Sequence, residues 1–187
     1  MRRVILGGLL ALMLSACSKA DGPVVWAANH ETTGPTRYPL AIDPAAVGTY
    51  PALTRSGGGY FYDDVLEYRV WLHPEQGAER VAGGNDYFAA FAQYERAVAF
   101  AKVTAGAEAL PLVLVRQREW IDEPEPGRFV PQKSERLTEW QVAWLADTKR
   151  GADSIARFLA SPPPHSHPAD ARLRHSATVR AQRSRGR

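Results

Sequence analysis

The chain has 187 residues, 45% of them hydrophobic and 23% charged, which suits one globular domain with tails. Its single cysteine excludes a disulfide framework and a cysteine-ligated metal centre, so the core must come from apolar packing alone. The net charge of +3 is unevenly spread: residues 161–187 hold six arginines against one acid, Arg2 and Arg3 add two more positive charges, and residues 22–160 carry −4. The high isoelectric point therefore belongs to the tail and not to the domain.

In chain order, Met1-Arg2-Arg3 is a short basic start, followed by Val4–Ala16, VILGGLLALMLSA, an apolar run ending in small residues. That is the layout of a secretory signal. Thirteen residues are too few to span a bilayer, which needs about 20. The run closes on Leu14-Ser15-Ala16-Cys17, which resembles the lipobox of bacterial lipoproteins. The resemblance implies that Cys17 takes a diacylglyceryl group, that cleavage precedes it, and that its new amino group is acylated. Ser18, where aspartate would imply retention at the inner membrane, favours the outer membrane. The expected product is a lipid-anchored protein whose domain faces the periplasm. An acylated Cys17 leaves no free thiol for nucleophilic chemistry.

Residues 17–32 read as a linker, and residues 33–59 as an irregular arm of Pro and Gly turns carrying apolar anchors such as Tyr38, Leu40, Ile42 and Tyr50. Alternation then begins. Leu66, Tyr68, Val70 and Leu72 share one parity and Glu67, Arg69, Trp71 and His73 the other, the pattern of a strand with one apolar face. Asn85–Ala92 reads as a second strand, with a longer helix from Asp86 as the rival. A helix follows from about Gln93, with Tyr94, Ala97, Val98 and Ala101 on one face and Gly106 as its C-cap. Leu110–Ile121 is the strongest strand, DEPEPGR a turn, and Arg128–Gln141 a returning polar strand. Val142–Ala146 opens a short helix, and Asp153 caps a last one through Ala160. The expected fold is a small two-layer α+β domain in the order β-β-α-β-β-α, spanning 33–160 with its arm.

One helix covers one sheet face, so the other face is where binding would sit. Its expected lining is Tyr60, Tyr62, Arg69, Trp71, His73, Arg118, Trp120 and Trp140, an aromatic and basic set suited to stacking and anion recognition. Against that stands the expectation that the arm packs there and the tryptophans are its seat, which the need to bury Trp71 and its neighbours favours. His73 with Glu75 has the composition of an acid–base pair without a nucleophile at fixed spacing. Asp63-Asp64 and Asp122, Glu123 and Glu125 lack the alternating ligand spacing of a calcium loop and read as solvated turns. No metal is expected. The tail 161–187 opens SPPPHSHP and continues polar and basic, so it reads as a disordered, solvated tail, with attraction to anionic membrane surfaces or polyanions as the alternative. His165, His167 and His175 make only a weak metal-ligand set. Arginines without interleaved aromatics do not suit nucleic acid.

The blocks TGPTRYPLAIDPAAVGTYPAL, GGGYFYDDVLEYRVWLHPEQG, DYFAAFAQYERAVAFA, LVLVRQREWIDEPEPGRF and TEWQVAWLA, over roughly residues 33–160, resemble a small bacterial family. Some of its members carry a GNAT-type acetyltransferase label. That label implies an acetyl-CoA-binding α/β fold, with Arg or Gln followed by x-x-Gly-x-Gly/Ala at a helix start, whose amides cradle the pyrophosphate. The nearest matches are Arg55–Tyr60 and Arg80–Asn85, with Tyr60 and Asn85 in the final small-residue place. The leading expectation is a domain that binds a small molecule or an envelope partner without a cofactor. The alternative is an acyl-CoA transferase.

Overall fold

The computed structural model describes residues 36–52, 59–81 and 84–162. Cys17, the signal and linker, Arg55 and the tail with its three histidines lie outside these residues. The described part is an α+β domain. Its strands are β1 (Asp64–Leu72), β2 (Tyr87–Phe91), β3 (Leu112–Gln117), β4 (Trp120–Glu125), β5 (Arg128–Gln132) and β6 (Arg136–Gln141), and its helices are α1 (Tyr94–Val103) and α2 (Ser154–Ala160).

A four-stranded antiparallel sheet runs β2-β1-β3-β6, and β4 and β5 form a separate two-stranded ribbon. The two long strands expected at 110–121 and 128–141 are thus four. Both arms of one long hairpin break between the sheet and the ribbon, at Arg118-Glu119 on the way out and at residues 133–135 on the way back. Neither break holds a Gly or Pro, which is why each pair reads as one strand. The ribbon holds Pro124 and Pro131, which a two-stranded edge accommodates and a central strand does not. Its turn at Pro126-Gly127 is tighter than the whole DEPEPGR stretch, with Gly127 at φ 81°.

Residues paired across the sheet share a face, and the register assigns the faces. Tyr68 opposes Phe91 and Val113, Val70 opposes Ala89, and Val113 opposes Trp140. These side chains form the core with Ala97 and Ala101 of α1. The expected strand-then-helix division at Gln93 is observed, with Gln93 as N-cap, and the longer helix from Asp86 is not. The helix ends at Thr104 and not at Gly106, which lies beyond it at φ 69°. Gly106 packs so close to Ala78 that a Cβ there would sit 2.2 Å from the Ala78 nitrogen.

A bulge between Val65 and Glu67 shifts the parity of β1. Leu66 is the extra residue and Val65 joins the core. A second aromatic cluster joins α2 to the ribbon. Phe158 lies 4.4 Å from Tyr60 and 5.0 Å from Phe129, ring centre to ring centre. The chain between β6 and α2 returns to the start of β1, where Tyr62 N–H donates to Thr148 and Arg150 N–H donates to Tyr62.

Candidate functional site: a buried charge cluster beneath the arm

The sheet face opposite α1 is not open. The arm begins on the helix side, where Tyr38 packs edge-on against Tyr94 and the Tyr68 hydroxyl donates to the Pro39 carbonyl. It passes the end of β2, where Ala41 N–H donates to Ala92 O, and then the bulge of β1, where Ile42 N–H donates to Val65 O. Asp43 caps a short 3-10 turn at Pro44–Ala46, and residues 48–51 then reach the opposite face.

Beneath them lies a charge cluster of residue types that seldom occur fully buried. Arg69 is fully buried; its Nε donates to Glu67 at 2.6 Å and its Nη1 to Glu139 at 2.6 Å. Its Nη2 donates to the arm carbonyls of Pro51 at 2.9 Å and Tyr50 at 3.4 Å. The second Glu67 oxygen accepts from Gly48 N–H at 2.6 Å, and the guanidinium stacks 4.1 Å over Phe88. Two carboxylates against one guanidinium leave the cluster with a formal excess of one negative charge. Burial raises the Glu139 pKa above its ordinary value, opposed by Arg69 and by a hydrogen bond from Trp71.

The eight residues expected to share a face do not share one. Tyr62 and Trp140 are buried on the α1 side, 6.0 Å apart in an edge-on pair. Arg69 is sealed under the arm, and Trp71 packs 5.2 Å from Phe88 beside it. Pairing explains part of this, because Trp140 stands opposite Val113 and so shares its core face. The break after β3 explains the rest. Arg118, Trp120 and Tyr60 belong to the ribbon junction, while Trp71 and His73 lie at the opposite end of β1.

At the ribbon junction, the Arg136 guanidinium lies 3.6 Å over the Trp120 ring and its Nε donates to Gln117 at 2.7 Å. Burial lowers the Arg136 pKa to about 10. The Tyr60 hydroxyl donates to Glu123 at 2.5 Å. Asp63 and Asp64 are buried and not in a solvated turn. Asp63 accepts from Arg150 at 2.5 Å and from Arg118 N–H at 2.6 Å, and Asp64 accepts from Arg118 Nη2 at 2.7 Å. Half of the Arg118 side chain stays exposed, whereas Tyr60, Trp71, His73 and Trp120 are each partly buried.

His73 is paired with Asp86 and Glu108 and not with Glu75. Its Nδ1 lies 2.9 Å from Asp86, and its Nε2 lies 3.4 Å from Glu108. Among the described residues, no group of three or more His, Cys, Asp or Glu side chains is arranged to hold a metal ion. The stretch from Arg80 to Asn85 leads into strand β2 and not into a helix.

Sequence reasoning placed Glu67 on the right face but missed Glu139 as its companion. The available signal was charge at alternate positions, Glu67-x-Arg69, in a strand that also carries a complete apolar parity. A central strand of that kind is covered on both faces, so its charges must neutralise one another. Searches against family models, curated proteins and solved structures return no match to this chain.

Proposed function

We propose that the chain is a membrane-anchored lipoprotein whose α+β domain binds a small ligand or an envelope partner without catalysing a reaction. The observation that carries the anchor is the one cysteine of the chain, placed directly after the 13-residue apolar run in Leu14-Ser15-Ala16-Cys17. More than one acyl chain on Cys17 makes the attachment stable, since each buried methylene contributes about 0.8 kcal/mol. Ser18 favours the outer membrane, with the domain on the periplasmic side. Among the described residues no helix is long and apolar enough to cross a membrane.

The binding reading is supported by how the interior charges are arranged. Glu67, Arg69 and Glu139 hold the arm, and Asp63, Asp64, Arg118 and Arg150 hold the strand ends together. These pairs act as scaffold, and the half-exposed Arg118 that they fix beside Trp120 at the ribbon junction is the surface they offer to a partner.

Two measurements test this. Cells expressing the full chain should incorporate radiolabelled palmitate into it, and Cys17→Ala should abolish incorporation. An unlabelled wild-type chain retaining Met1 removes the anchor from the reading. Acetyl-CoA should leave the melting temperature of the mature chain unchanged. A clear rise, lost on Arg55→Ala or Arg80→Ala, would replace the binding reading with an acyltransferase.

A further inference from the structure

A second cluster lies at the opposite end of β1 from the ribbon, and it is independent of how the chain is anchored. His73 stands where three stretches of chain meet. Its N–H donates to Gly106 O at 2.9 Å, and its carbonyl accepts from Gln76 at 2.9 Å and Ala78 at 3.2 Å. Next to it, Glu108 N–H donates to Trp71 O at 2.9 Å. The ring is bracketed by two carboxylates from different loops: Asp86, just before β2, at Nδ1, and Glu108, just before β3, at Nε2. The side chain of His73 is 16% exposed, while those of Asp86 and Glu108 are 48% and 42% exposed.

A carboxylate only accepts hydrogen bonds, so each bracket needs an N–H on its own ring nitrogen. A neutral imidazole has one such donor and an imidazolium has two. We infer that His73 is a proton-operated clasp, which ties the 104–111 loop to the β1 end when charged and lets Glu108 go when neutral. The shorter contact, Asp86 to Nδ1, keeps the single remaining proton. Nε2 then presents a lone pair to Glu108 at 3.4 Å, which is repulsive, and Glu108 turns to the solvent it already half faces.

Charged groups reach the ring from both packed loops, as Asp86 and Glu108, and Glu75 lies two residues along its own chain. Burial lowers the affinity of His73 for its proton, but Asp86 and Glu108 together outweigh burial and hold the folded value above 6.5. The charged state therefore prevails at mildly acidic pH and is lost as pH rises through the folded value. The 104–111 loop is also held to the β1 end by the Gly106 and Glu108 backbone bonds, so loss of the side-chain bracket loosens the loop without detaching it, beside exposed Leu110 and Val103.

The test follows amide hydrogen exchange of residues 104–111 in the mature chain between pH 5 and 9, corrected for intrinsic rates, while NMR follows the His73 ring. Exchange should rise several-fold with the same midpoint as the ring titration. Glu108→Gln, whose amide can pair with either ring state, should flatten the rise without unfolding the domain. His73→Gln should give pH-independent exchange. Exchange that ignores the ring titration overturns the clasp, as does a Glu108→Gln variant that keeps the full wild-type rise.

Discussion

Arg69 contributes to stability mainly through what its absence would leave behind. Arg69→Met strands Glu67 and Glu139 in the interior without a counter-charge, and breaking a buried pair in this way costs about 3–5 kcal/mol. Equilibrium denaturation should show that loss. The triple variant Glu67→Met, Arg69→Leu and Glu139→Leu removes every charge of the cluster together, and such replacements are commonly neutral or stabilising. A triple variant as weak as the single one would mean that the arm's seat, and not the charge, decides the cost. Glu139 also sets a sign. Its folded pKa is raised, so its contribution is complete below its ordinary 4.5 and is lost as pH climbs through the folded value. Relative to Glu139→Gln, the wild-type melting temperature should therefore fall from pH 4.5 towards neutrality. Parallel melting curves would assign the slope to other groups.

At the level of elements, two glycines with similar backbones should respond differently. Gly106 and Gly84 both have positive φ, at 69° and 67°, and left-handed backbone costs an L-residue about 1–2 kcal/mol. A Cβ at Gly84 meets nothing within 4 Å, whereas at Gly106 it meets the Ala78 backbone at 2.2 Å. Gly84→Ala should stay within that cost, and Gly106→Ala should exceed it in a denaturant titration. Equal losses would show that the Ala78 contact relaxes freely. These elements also show what could be read in advance. Period-2 alternation located β1, and Gln93 marked the passage from β2 to α1, because both are local patterns. The breaks at Arg118-Glu119 and residues 133–135 and the bulge at Leu66 were not legible. The bulge is settled by pairing with β3 and the breaks by the separate pairing of the ribbon, and no Gly or Pro marks any of them. The face of Trp140 was not legible because β6 carries no clear apolar parity, and only its pairing with Val113 puts it in the core, so the site was assembled from residues that lie apart.

For the whole molecule, the arm takes the place that a second helical layer would fill. If it seals the sheet, Trp71→Ala removes a packed ring and a hydrogen-bond donor to Glu139, with a cost approaching the about 3–5 kcal/mol of a buried tryptophan. Near-neutral stability for that variant would mean that the arm lies loosely on this face. Removing residues 163–187 should leave the melting temperature unchanged, because that polar, arginine-rich stretch has little apolar surface to bury. The arm's seat is assembled from distant parts of the chain: Glu67 and Arg69 from β1, Phe88 from β2 and Glu139 from β6. Residues 48–51 leave the ribosome well before Glu139 is translated, so they wait for their binding partner to be made. The seat of residues 48–51 is consequently incomplete until β6 is made, and a chain arrested before residue 139 leaves Arg69 with Glu67 as its one carboxylate partner there.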